Sequence, residues 1–189
     1  MGNEIYKNQN SQHHSDETKN RIEDFIKFIS INLNVPYGSV AEIGCGNKFI
    51  GNHFNDKGIS FYDYYPNYED VHFIDLQMSG NHLITDKVSA VIISHTLEHM
   101  KNIRLALKIL RDEVLSPSGS LYIAVPNAEF PDSNFKPYSE EIGHYSFFSP
   151  SILKAELTAV GFKPEIIVEF NKYSGFEEIW CKARRFKVI

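Results

Sequence analysis

Val40-Ala41-Glu42-Ile43-Gly44-Cys45-Gly46-Asn47 is the stretch that decides how the rest of this chain is read. An apolar strand runs into a carboxylate, and two glycines then follow in alternation. Glycine lets a backbone turn, and approach a ligand closely, where a Cβ would clash. A turn of this kind at the carboxyl end of a strand is where open α/β sheets bind nucleotide-like ligands. The full dinucleotide fingerprint has a third glycine, and Lys48 stands where a tighter version would put it. E-x-G-x-G alone is also compatible with a plain strand-to-helix turn, so the order of elements around it carries the argument.

Upstream, Ile22, Phe25, Ile26, Ile29 and Leu33 recur at helical spacing, which predicts a helix over about Thr18–Asn32. Residues 1–17 are rich in Asn, Gln, His and Ser and read as a mobile tail; the domain proper is then 18–189. Downstream, a short helix from Lys48 is expected to turn Phe49, Ile50 and Phe54 inward. Strands follow at Ile59–Asp63 and Val71–Asp75, both stopping on an aspartate. The segment between them is too short for a crossover helix, usually a dozen residues or more, so the layer there must be thin. Val88–Ser94 is a nearly continuous apolar run, as in a sheet buried on both faces.

A helix over Glu98–Val114, a turn at Ser116-Pro117-Ser118-Gly119 and a strand at Leu121–Val125 come next. A polar and aromatic loop then leads to Phe148. Ser149-Pro150 opens a helix, with Ser as cap and Pro in its first turn, and Gly161 closes it. Ile166–Phe170 and Glu177–Ala183 read as a terminal hairpin. The pattern predicts an α/β, Rossmann-like three-layer sandwich. Its seven-stranded sheet is mostly parallel, with one antiparallel strand.

Composition narrows the function. The chain has 189 residues, 42% of them hydrophobic, and a net charge of −5. An acidic balance argues against a nucleic-acid partner held through a basic surface. No apolar run reaches the roughly 18 residues of a membrane span. No signal peptide is legible, and Cys45 and Cys181 form no close pair, which suits a reducing, cytoplasmic setting.

From Val40 to Phe162 the pattern resembles the class I S-adenosylmethionine-dependent methyltransferases, in particular the small group with Leu-Glu-His after strand four. The resemblance rests on Glu42-x-Gly44-x-Gly46, Asp63, Asp75, Ser94-His95-Thr96-Leu97-Glu98-His99 and Gly143-His144-Tyr145-Ser146-Phe147-Phe148-Ser149. It implies S-adenosylmethionine as cofactor. The glycine turn, Glu42 with Gly44, Cys45 and Gly46, would lie against its methionine part. Asp63 would take the ribose hydroxyls and Asp75 would lie near the adenine, with Tyr64 and Leu76 flanking the ring. A side chain at Gly44 would then fill space the cofactor needs. The implied activity is methyl transfer to a small-molecule or saccharide-type acceptor, by a monomer or homodimer. The alternatives are a non-catalytic protein that binds cofactor or partner, and a nucleotide-dependent oxidoreductase on a similar sheet.

His95 follows a central strand directly, so it belongs beside the cofactor and is a candidate base. His144, among aromatics in the long loop, is the second candidate, approaching substrate from above. His95-Thr96-Leu97-Glu98-His99 also fits H-x-x-E-H, an inverted zinc-protease signature. That signature needs both rings on one helical face. His95 comes straight after a strand, so the rings are not expected to converge, and no metal is assigned. His99 reads equally as a structural histidine.

Overall fold

The computed structural model describes residues 16–36, 38–80, 86–129, 143–170, 172 and 177–186. The tail expected over 1–17, most of the aromatic loop and the tip of the terminal hairpin lie outside these residues, apart from the two that begin the first helix.

The elements run α1 (Asp16–Asn32), β1 (Val40–Ile43), a 3-10 helix (Gly51–Lys57), β2 (Ser60–Asp63), β3 (Val71–Phe73) and β4 (Val88–Ser94). A 3-10 turn (Leu97–His99), α2 (Ile103–Ile109), a π-helical turn (Leu110–Val114) and β5 (Leu115–Pro126) follow. The chain then forms α3 (Pro150–Ala159), β6 (Phe162–Phe170) and β7 (Glu178–Arg185). The strands make one seven-stranded sheet in the order β3-β2-β1-β4-β5-β7-β6. β7 runs antiparallel to both its neighbours and is the single reversed strand. The expected sheet is therefore the observed one.

β4 shows why the sheet is filled on both faces. Val91 and Ile93 join one core with Leu107, Leu110, Leu153 and Leu157 from the α2–α3 side. Ala90 and Ile92, pointing the other way, join Ile22, Phe25, Ile26 and Ile29 of α1. Trp180 of β7 closes that second core, with Phe170 stacked on it at 4.1 Å and Phe25 tilted against it at 5.4 Å. Over β2 and β3 the cover is thin, as the short connection implied. Lys48 holds that connection from the glycine side: its Nζ donates to Asp70 at 2.7 Å and lies over the rings of Phe61 and Tyr68.

Several boundaries differ from the sequence reading, each for a local reason. Lys48 is left-handed, with φ 59°, so no helix begins there and the turn starts at Gly51 instead. The helix expected from Glu98 starts at Ile103, because the Asn102 side chain caps it by accepting from Leu105 N at 3.0 Å. Leu97–His99 is a separate turn before it. The Ser116–Gly119 segment protrudes from β5: Val88 pairs with Leu115 while Ala90 pairs with Ser120. The last helix of the reading opens as expected, with Ser149 accepting from Ile152 N at 3.2 Å and Pro150 in its first turn.

Candidate active site at the carboxyl edge of the sheet

The parallel register brings the strand ends together. Ile43 lies beside Tyr62 and Asp63 beside Phe73, so the glycine turn, Asp63 and the start of the Ile74–Gln77 segment follow one another along one edge. Gly44 and Gly46 both have positive φ, 70° and 48°, which admits the tight turn. Asp63 ties this turn to β2: its Oδ2 accepts from Gly46 N and its Oδ1 from Tyr65 N, each at 2.9 Å. Two acceptances leave about half of a carboxylate's capacity open. Asp75 makes a similar local turn, its Oδ1 accepting from Gln77 N at 2.7 Å. Leu76 beside it is buried, whereas Tyr64 is 51% exposed, edge-on to Tyr65 and tilted against Phe73.

Two residues of the turn have inward roles. Glu42 is 3% exposed, and its Oε2 accepts from Gly51 N at 3.0 Å. Burial pushes its pKa up to about 8; the Gly51 bond opposes this and Asp63 adds to it. Cys45 is buried too, its thiol pushed up to about 12 by burial and then by the nearby Glu42 and Asp63, so it is a packing group and not a nucleophile. At Gly44, a Cβ would run into the Thr96 side chain, within 2.8 Å of its Cγ2. A side chain at Gly44 would thus meet Thr96, and Gly44 is what lets the β1 and β4 ends approach.

His95 sits at φ 48°, its N–H bonded to Ala124 O at 2.9 Å, with its side chain about a third exposed. Its Nε2 and the Arg21 guanidinium both meet Glu178 Oε1. The other Glu178 oxygen accepts from Trp180 Nε1 at 2.8 Å. Burial draws the His95 pKa down, but Glu178 outweighs it despite Arg21, and with help from Glu98 raises it to about 9. Burial alone would raise Glu178; His95 and Arg21 draw it down to about 2. Glu178 thus holds His95 toward its charged form, in a cluster joining α1, β4 and β7 in which Arg21 also meets His95 Nε2 at 2.6 Å.

His144 is elsewhere. The segment after Gly143 docks on the 3-10 turn: Tyr145 N and Ser146 N donate to Glu98 O at 2.8 and 3.0 Å, and Ser146 Oγ donates to Met100 O at 2.7 Å. His99 Nδ1 meets Gly143 O at 3.0 Å. The rings of His99 and His144 are 4.7 Å apart, nearly perpendicular. Burial lowers the His144 pKa, against the opposing pull of Glu98. Glu98, 1% exposed, brings a carboxylate oxygen within 4.8 Å of a nitrogen of each ring. A cavity of about 10 Å³ adjoins this group, lined by Glu98, Pro126, Ala128, His144 and Phe147 among others. His95 and His99 thus point into different neighbourhoods, as their positions in the motif implied.

The sequence reading missed Arg21, Thr96, Glu98 and Glu178. Glu98 was visible within H-x-x-E-H. Arg21 and Glu178 carried no signal, because a charged residue on an amphipathic helix or an alternating strand reads as solvated.

The model of the methyltransferase domain family matches residues 12–166, so the chain belongs to that family. No curated protein matches it. Among solved structures, it is similar to a chain of the Haloferax volcanii complex between the Trm112 methyltransferase activator and a methyltransferase (TM-score 0.71, 14% identity, 96% of this chain and 97% of that one). It is also similar to the N-methyltransferase NodS of Bradyrhizobium japonicum, solved with S-adenosylhomocysteine (0.69, 13%, 96% and 97%). A third is the Burkholderia thailandensis 1,6-didemethyltoxoflavin-N1-methyltransferase, solved with its substrate and S-adenosylhomocysteine (0.67, 16%, 88% and 78%). These likenesses establish the class I S-adenosylmethionine-dependent methyltransferase fold. Among the described residues, no helix is long and apolar enough to cross a membrane.

Proposed function

We propose that this protein is an S-adenosylmethionine-dependent methyltransferase acting on a small-molecule or saccharide-type acceptor. The observation that carries this reading is the shared edge of β1, β2 and β3. It sets the Gly44–Gly46 turn beside the Asp63 carboxylate, with Asp75 two residues past the Asp63–Phe73 pair. The lone pairs Asp63 has left suit two adjacent hydroxyls, as on a ribose, and charge assistance makes such bonds strong. Asp75 and buried Leu76 suit an adenine placed beyond it.

When bound, the cofactor supplies a methyl group on a sulfonium, already activated for transfer. The chain's contribution is then alignment and exclusion of water. The acceptor side falls at the carboxyl ends of β4 and β5, next to the Glu98–His99–His144 group. His95, protonated up to about pH 9, acts there as a fixed cation that orders Glu98 and Glu178. Where the acceptor carries a proton, that proton leaves toward the His144 side, since the lowered pKa keeps His144 neutral at pH 7. The named activities of two of the structural neighbours, on a toxoflavin precursor and as an N-methyltransferase, fit an acceptor of small size.

Calorimetry with S-adenosylhomocysteine tests the reading. Micromolar binding, about −8 kcal/mol, is expected. Asp63→Asn, which keeps an acceptor for Gly46 N, should weaken it by about 1.5–3 kcal/mol. No binding at millimolar ligand would sink the proposal.

A further inference from the structure

The Glu98–His99–His144 group has features that a proton-transfer role alone does not require. Its three potential ligand atoms, one from each side chain, lie within 4.8 Å of one another. In a tetrahedral zinc site, bonds of about 2.0–2.1 Å place ligand atoms roughly 3.3 Å apart. A closure of about 1.5 Å at most, within the reach of side-chain torsions, would bring these three to that spacing. Glu98 supplies a second and independent observation. It is 1% exposed, and among the described residues neither of its carboxylate oxygens accepts a hydrogen bond. The His95 Nδ1 lies 3.3 Å from Oε1 as an ion partner, without hydrogen-bond geometry. His95 answers Oε1 only; among the described residues Oε2 has no partner, which is costly for a buried carboxylate, and a second cation there relieves that cost.

The surroundings are ordered as metal ligands require. A carbonyl only accepts, so the His99 Nδ1 that meets Gly143 O must carry the proton. In the neutral ring this leaves the lone pair on Nε2, the arrangement in which a second hydrogen bond orients a ligating imidazole. The Tyr145 and Ser146 amides on Glu98 O fix the backbone on either side of the carboxylate–His144 approach. The adjoining cavity, about 10 Å³, is the size of one water. Two imidazoles and a carboxylate are a donor set for zinc, cobalt or nickel; magnesium and calcium call for more oxygen.

We infer that Glu98, His99 and His144 form a three-ligand site for a divalent transition metal of the zinc type, with water in the fourth position. The site goes beyond methyl transfer and does not rest on it; with the metal bound, the His144 lone pair is on the metal and His144 takes no proton. Three protein ligands and an open fourth position are the pattern of a metal that acts on a bound oxygen rather than one that only braces the fold.

The test uses the full chain without an affinity tag and without cofactor or acceptor, so its result is independent of S-adenosylhomocysteine binding. Co²⁺ is titrated in while visible absorption is recorded, and Zn²⁺ affinity is measured by competition with a chromophoric chelator. One equivalent of Co²⁺ should give the intense bands of a tetrahedral site, and Zn²⁺ should bleach them. His144→Ala and Glu98→Gln should each weaken Zn²⁺ roughly tenfold or more. A melting curve on each variant separates loss of ligand from loss of fold, and His99→Ala serves where one of them does not fold. The double variant His13→Ala/His14→Ala should bind as the parent does. Weak octahedral bands, no stoichiometric uptake, or uptake that survives His144→Ala and is lost in the tail variant would each overturn the inference.

Discussion

Glu42→Gln should make the protein more stable at pH 7.5 and leave it nearly unchanged at pH 5. Glu42 is 3% exposed, and in the fold its pKa rises from an ordinary 4.5 to about 8, chiefly through burial. In the unfolded chain it ionises near 4.5. Between those values the folded state holds a proton that the unfolded state has released, so stability falls as pH rises and levels off above about 8. Each unit is worth about 1.4 kcal/mol, so the ceiling between pH 5 and pH 7.5 is about 3 kcal/mol. Glutamine carries no charge at either pH, and its carbonyl can still accept from Gly51 N, the bond Glu42 makes at 3.0 Å. For a domain of this length 1 kcal/mol moves the melting temperature by about 2–4 °C. The gap between variant and parent should therefore widen by roughly 6–12 °C from pH 5 to pH 7.5. Other titrating groups act on both proteins and cancel in the difference. Calorimetric melts of the two proteins at several pH values check this. Parallel pH profiles would refute the reasoning, because they would mean Glu42 ionises as readily in the fold as outside it.

Glu178→Gln should cost about 3–5 kcal/mol, because it leaves two cations, Arg21 and His95, without their buried counter-charge. In the parent, the His95 contribution is full below about pH 6.5 and is lost as pH rises through about 9; an NMR titration of His95 should show that shift shrink in the variant, and an unmoved titration would clear Glu178 of causing it. Gly44→Ala should destabilise by about 1–2 kcal/mol from its left-handed backbone alone. The Thr96 contact adds to this, so chemical denaturation should find a smaller loss in a Thr96→Ala background. Lys48→Gly should be more stable than Lys48→Ala by about 1 kcal/mol, since both lose Asp70 and the two rings but only alanine keeps the strained φ of 59°; equal denaturation midpoints would show that the turn relaxes.

The sheet was legible because its signals are periodic and local. The nearly continuous apolar run of β4 demands burial on both faces, and the short span after Asp63 rules out a crossover helix. Ser149-Pro150 and Gly161 mark the ends of α3 by the chemistry of their first and last turns. Element ends were read less well where one residue's backbone decides them. Lys48 looks like a helix former, yet it sits left-handed beside the glycine turn. Asn102 is an unremarkable residue until its side chain is seen to cap α2. Asp63 stands at a strand end as read, because that position is written in the sequence, whereas β3 stops at Phe73 and leaves Asp75 two residues beyond it; the backbone amides that Asp63 holds were not legible.

Histidine roles were the least legible part, and the reason is geometric. His95-Thr96-Leu97-Glu98-His99 reads as one motif along the chain, and a motif suggests one site. The positive φ at His95 and the break into a separate 3-10 turn divide it in two. His95 goes to Glu178 and Arg21, whose numbers differ from its own by 83 and 74. His99 goes to His144, brought in by amides that bond to Glu98 O. Among the described residues, Glu98 links both halves, with His95 at 3.3 Å on one side and the paired rings on the other. A change at Glu98 should therefore be felt in both the ion cluster and the His99–His144 group. A change at Arg21 should be felt in the ion cluster first, because it reaches His144 only through His95 and Glu98. Measuring the His95 and His144 titrations together in Arg21→Met would test this: a large shift in His95 with a small one in His144 supports the division, and equal shifts would mean that the two halves act as one site.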